Sequence, residues 1–202
     1  MIVDQIRKMA EEEQVPVLGS GPASAMAGER PGHRPEDLLP GAQSLVCFGL
    51  PVPRSVYGTP NYTLEAVWRS QNLNYRRLDT LSMRIAALLE ESGARAMPIY
   101  GFLPMGVSHR GQVVGYLNQI RMGEVTGIGV MGKNGLLIHA RYGARLMLGG
   151  VVTSAHLPAA RTSEIDEPGC LPDCRICADA CPVGAISIEE KRVRIMTCLG
   201  HT

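Results

Sequence analysis

The chain has no run of eighteen apolar residues, which excludes a hydrophobic transmembrane helix. Its N-terminus has no apolar h-region and no small-residue cleavage site, so a secretory signal is not expected. Met1 to Gln14 reads instead as an amphipathic helix carrying Glu11, Glu12 and Glu13. An excess of one charge is also missing. The 20 Lys and Arg nearly balance the 19 Asp and Glu, leaving +1 and no global field toward nucleic acid or an acidic membrane. Arg69, Arg76, Arg77 and Arg84 fall on a long helical pattern and read as a solvated helix face. No internal repeat is visible. These absences leave a soluble, cytoplasmic protein as the expectation, with no membrane or nucleic-acid partner. Its 202 residues, 45% of them hydrophobic, suffice for one sizeable core and a small appended unit.

Regular alternation of strand and crossover helix is missing too. Val15 to Leu18 is a short apolar run, and Gly19 to Gly41 is rich in Gly and Pro and reads as irregular. Ser44 to Leu50 is apolar and bounded by Pro40 and Pro51, as in a buried strand. The strongest helical signal spans 61–92, where Leu78, Leu81, Ile85 and Leu88 recur at three- and four-residue spacing before a stop at Gly93. A strand over 94–100, a loop over 102–111 and a shorter helix over 114–125 follow. Two more strands are expected at 136–139 and 146–153, then a polar linker over 156–169. The pattern predicts an α+β domain over 1–162 and a separate segment over 163–202.

Cysteine is nearly absent from the first domain, where Cys47 alone occurs and reads as a small buried hydrophobe. The other five crowd the end: Cys170-x3-Cys174-x2-Cys177-x3-Cys181-Pro182, then Cys198. In a reducing compartment, clustered thiols are metal ligands more often than disulfides. Loops of two or three residues let successive thiolates face one small cuboid, and Pro182 turns the chain away. The run is close to the bacterial ferredoxin pattern for a 4Fe-4S cluster. Zinc usually takes two separated Cys pairs, and only one x2 pair is present. A radical S-adenosylmethionine motif would need a large barrel after it. The fourth ligand stays open between Cys181 and Cys198, and these two could equally be half of a second site.

Gly127-Ile-Gly129-Val-Met-Gly132 spells a dinucleotide fingerprint, but a helical pattern precedes it where a strand is needed, and no acidic residue follows at the ribose position. As Gly127-x4-Gly132-Lys133-Asn134 it imitates a P-loop without the magnesium-binding hydroxyl. Such a glycine-rich loop still lets the backbone approach a ligand, or simply makes tight turns between a helix and a strand.

The segment from Thr126 through Gly132-Lys-Asn134 to His139, then Arg141 to Gly150 and the cysteine run, resembles epoxyqueuosine reductase. The resemblance is most specific over 124–198 and looser over 44–101. It implies a nitroreductase-like α+β domain of the corrinoid-binding type with a C-terminal ferredoxin-like 4Fe-4S segment, an arrangement shared with cobalamin-dependent reductive dehalogenases. It further implies that Gly127, Gly129, Gly132, Lys133 and Asn134 line the corrinoid pocket. The family's catalytic Asp is not found about twenty residues before Lys133, where an ungapped count reaches Val113. The family's C-terminal helical repeat domain, which helps hold tRNA, is not in this sequence either. The chain thus reads as a short, divergent relative or as a piece of a longer protein, and epoxide reduction on tRNA is not expected. The function expected is an iron–sulfur oxidoreductase passing electrons from its cluster to cobalamin, or alternatively to a flavin. It would serve a redox partner protein or a small-molecule substrate. The alternative is a non-catalytic electron-transfer or corrinoid-handling module serving a partner.

Overall fold

A computed structural model describes residues 1–101, 106–107, 113–160 and 170–199. In chain order its elements are α1 (Ile2–Glu12), β1 (Val17–Pro22), α2 (Pro35–Leu38), β2 (Ser44–Pro51), α3 (Thr63–Glu91), β3 (Ala96–Ile99), β4 (Gly106–Val107), β5 (Val113–Val114) and α4 (Gln119–Val125). There follow β6 (Val130–Met131), β7 (Leu137–Ile138), β8 (Leu146–Thr153), α5 (Ile176–Asp179), β9 (Ile186–Ser187), β10 (Arg192–Val193) and α6 (Ile195–Leu199). Among the described residues no helix is long and apolar enough to cross a membrane.

Four strands form an antiparallel sheet in the order β1-β2-β8-β3. Side chains alternate across a strand, so β2 sends Val46, Phe48 and Leu50 to one face and Leu45 and Cys47 to the other. The first face packs on α1 and α3 through Ile6, Ala10, Leu78, Leu81, Ile85 and Leu89. Fully burying each Leu or Ile is worth about 1.5–3 kcal/mol. Arg84 pairs with Glu12 at 3.4 Å and with Glu13, but such half-exposed ion pairs give roughly 0–1 kcal/mol. The apolar stripe, not the charges, fixes α3. It ends where Gly93, at φ +90°, takes the left-handed position and Ala94 N–H returns to Leu89 O.

The second face carries α4, whose Met122 is buried with Val17, Leu45, Ile99 and Val152. Three strand glycines admit this helix. A Cβ at Gly19 would strike Thr126 O, one at Gly21 would lie 2.5 Å from Val125 O, and one at Gly150 2.5 Å from Met122 Cε. This close approach overturns the irregular reading of residues 19–22, which pair with β2 from Val17↔Gly49 to Pro22↔Ser44. The remainder of 19–41 holds a 3-10 turn at Ala23–Met26 and the short α2.

Two further expectations are corrected. The helix expected over 114–125 starts at Gln119, because Asn118 Oδ1 accepts from Arg121 N–H at 3.2 Å and caps it, while Val113–Val114 pairs with Gly106–Val107. The linker expected from 156 is tied to the sheet edge as far as Ala160, which exchanges two backbone hydrogen bonds with Ser20. Most of the loop expected over 102–111, and the domain boundary at 162, lie outside the described residues.

Candidate functional site

The cysteine segment is built from short backbone turns. Cys174 N–H donates to Leu171 O at 3.0 Å, α5 carries Cys177, and Cys181 N–H donates to Ala178 O at 3.1 Å. The chain then folds over the Cys181 sulfur, whose Sγ accepts from Ala185 N–H at 3.3 Å. Hydrogen bonds from the amides of Val183, then Ala185, outweigh desolvation and hold this thiol below its ordinary value. Ala185 and Ser187 are buried beneath this turn. Cys174, Cys177 and Cys181 are half-buried, Cys170 and Cys198 are exposed, and all are free thiols. Exposed Leu171, Ile176, Ile195 and Met196 stand among them.

The donor chemistry suits a soft iron–sulfur centre: five free thiols, one of them, Cys181, lowered by backbone amides. The sulfurs are not gathered on one point. Among the described residues no group of three or more His, Cys, Asp or Glu side chains is placed to hold a metal ion. The turns that carry the sulfurs are formed without the sulfurs converging.

The glycine loop follows helix α4 and leads into strand β6, the reverse of the strand–loop–helix order that dinucleotide and P-loop sites need. Gly127 ends α4 at φ +70°. Strands β6 and β7 then form a hairpin, Val130↔Ile138 and Met131↔Leu137. Its turn is locked by Gly132 N–H to Leu136 O at 2.9 Å, and by Leu136 N–H to Asn134 Oδ1 at 3.1 Å. Glu124 Oε1 accepts Met131 N–H at 2.8 Å and ties the hairpin back to α4. A Cβ at Gly129 would lie 2.6 Å from Ile138 O, and one at Gly132 would lie 2.9 Å from Asn134 Oδ1. Gly129 is therefore needed by the hairpin backbone, Gly132 packs tightly on the side chains of Asn134 and Ile138, and Asn134 serves the turn.

Lys133 points at the cysteine segment. Its Nζ donates to Leu171 O at 2.7 Å, to Pro172 O, and to Cys174 O at 3.5 Å. The two motifs picked out in the sequence, 38 to 41 residues apart, thus meet in space.

Three features escaped the sequence reading. Asp79 accepts Gly101 N–H at 2.8 Å, and its carboxyl is pushed up by burial. One helical turn before it, the Tyr75 phenol is pushed up by burial, then by Asp79 and Tyr57. Their i,i+4 spacing on α3 was the available signal. His139, buried at the end of β7, accepts Arg141 N–H at Nδ1 over 3.0 Å and is lowered by burial, then by the Arg141 charge. A cavity of about 280 Å³ lies between α1 and β1, lined mainly by Ile6, Ala10, Val15, Leu18 and Leu157. No cysteine and no residue of the hairpin reaches it, so it is apart from the motifs.

No family model matches the chain. An epoxyqueuosine reductase of Gloeobacter violaceus is 27% identical over 194 residues, covering 91% of this chain and 55% of that protein. The structure of epoxyqueuosine reductase from Streptococcus thermophilus superposes with a TM-score of 0.58 at 22% identity, over 90% of this chain and 52% of that one. A catabolic reductive dehalogenase superposes with a TM-score of 0.62 at 17% identity, over 90% of this chain and 25% of that one. At such identities the superpositions establish the fold. The chain spans about half the length of these epoxyqueuosine reductases and a quarter of the dehalogenase. It is a mixed helix-and-sheet relative of the epoxyqueuosine reductases, in a fold that the reductive dehalogenases share.

Proposed function

We propose that the chain is an iron–sulfur oxidoreductase of the epoxyqueuosine reductase kind. Cys170, Cys174, Cys177 and Cys181 would hold a 4Fe-4S cluster in a ferredoxin-like segment over 163–202. The α+β domain over 1–162 would hold a corrinoid as electron acceptor. When bound, the cluster supplies single electrons and the corrinoid a reducing metal centre.

The observation that carries this reading is the contact of the Lys133 hairpin with the Cys170–Cys174 turn, which sets the cysteine motif against the glycine motif. Single-electron transfer needs the donor close to the acceptor pocket. Of the two candidates for the fourth ligand, Cys181 is favoured because its sulfur accepts Ala185 N–H and backbone amides lower its thiol, whereas Cys198 lies exposed on α6. Near the hairpin, Gly127, Gly129, Gly132 and Asn134 would contribute backbone groups to the wall of the corrinoid site. The substrate reduced at the corrinoid, and any redox partner protein, belong to the same proposal.

Titration of the anaerobically reconstituted protein with cobalamin under reducing conditions tests it. A saturable spectral change at one cobalamin per chain is expected. Tight flavin binding with no response to cobalamin would replace the corrinoid by a flavin and overturn this assignment.

A further inference from the structure

Resting on the cluster reading, we infer that Lys133 is a positioning residue for the cluster. It clamps the turn between the first two ligands and places a fixed positive charge beside them. An ammonium has three N–H donors, and here three carbonyl oxygens from one four-residue turn, those of Leu171, Pro172 and Cys174, share it. The acceptors lie within or at the end of the span joining Cys170 to Cys174, the looser three-residue spacing of the run. Without a cation, oxygens brought so close would repel, and the turn would open toward water.

The lysine is itself held. Its own turn is closed by the Gly132–Leu136 hydrogen bond and by the Asn134 side chain. The hairpin also touches the cysteine segment at a second point. A Cβ on Gly135, at φ +72°, would lie 2.7 Å from Lys191 O and 2.9 Å from Arg192 Cα. Lys133 is thus presented from a docked hairpin and not from a loose loop. Lysine in a glycine loop suggests an anion or amide ligand, but among the described residues the hydrogen bonds of this side chain go to main-chain oxygens of the cysteine turn.

The electrostatic consequence follows from sign. Reduction adds an electron to a cluster that is already anionic in its thiolate shell. A cation close to the ligand turn favours the reduced form and raises the potential. Neutralising the side chain should lower it, while a guanidinium at the same place should keep most of the effect.

The test compares Lys133→Met and Lys133→Arg with the wild-type chain by two readouts. The first is amide hydrogen exchange over residues 171–174 in the metal-free protein. The second is the midpoint potential of the reconstituted cluster, followed by its electron paramagnetic resonance signal. Lys133→Met should exchange at least about tenfold faster in that turn. At the wild-type midpoint its ratio of reduced to oxidised cluster should fall about tenfold, about 59 mV for one electron. Lys133→Arg should recover most of both. Wild-type exchange or wild-type potential in Lys133→Met, or an Arg variant no better than Met, overturns the inference. If the wild-type chain takes up no iron, the proposed function falls instead, and the exchange readout alone decides whether Lys133 orders the turn.

Discussion

The sulfur of Cys181 and the backbone amide of Ala185 are hydrogen-bonded across 3.3 Å, within a turn that aims further amides at the same thiol. Cys198, by contrast, sits exposed in α6 with its N–H on Arg194 O. Cys181→Ser should therefore lose most of the iron taken up on reconstitution, and Cys198→Ser should retain it. Iron analysis of the two variants checks this, and the opposite order would move the fourth ligand to Cys198.

Cys47 should be chemically silent. It is fully buried between β1 and β8, and burial pushes its thiol up to about 12, against hydrogen bonds from Thr126 and Phe48 that lower it. At pH 8 almost none of it is thiolate. Alkylation of the native, metal-free chain should label the other five cysteines and spare Cys47 until denaturant is added. Mass spectrometry of the labelled peptides reads this directly. Early labelling of Cys47 would show the sheet to be looser than described.

Gly19→Ala should destabilise the domain by about 1–3 kcal/mol, at the upper end because the obstacle is main chain and not a flexible side chain. The new methyl would meet Thr126 O and Ile128 Cγ2, prising α4 from β1. Gly28→Ala, where a Cβ meets nothing within 4 Å, is the matched control. Thermal melts of both variants decide between close approach and a dispensable glycine.

Stability should fall as the solution is acidified through the ordinary histidine range, in part because of His139. Burial lowers this imidazole from 6.5, so the unfolded chain binds its proton more readily than the folded one. The contribution is fully present above the unfolded value and is lost as pH drops from there toward the lower folded value. His139→Gln should flatten the dependence of the urea midpoint on pH between about 7 and 5. An unchanged slope would exclude His139 as its source.

The long periodic elements were readable from residue pattern alone. The apolar spacing from Leu78 to Leu88 gave α3, and the unbroken apolar runs at 44–50 and 146–153 gave the two central strands, β2 and β8. What was missed turned on contacts between distant segments. Residues 19–22 look like loop because Gly and Pro disfavour strands, yet Gly19 and Gly21 are glycine so that α4 can lie against the strand. Asn118 was a legible cap that marked the true start of α4. The cysteine spacing picked out candidate ligands, whereas the engagement of Lys133 with carbonyls some forty residues away has no local signature. The glycines of the 127–132 loop suggested room for a ligand, and one of them, Gly129, is also required where the hairpin backbone passes close to Ile138 O. Gly129→Val would thus disturb the hairpin whether or not a corrinoid binds there, so it cannot report on the pocket alone.

Iron and zinc analysis of the anaerobically reconstituted chain, with Cys177→Ser and Cys47→Ser beside it, tests the central claim most directly. The account predicts about four irons per chain in the wild type and in Cys47→Ser, and little iron in a folded Cys177→Ser. Stoichiometric zinc without iron in the wild type, or equal iron loss in the two variants, would contradict it.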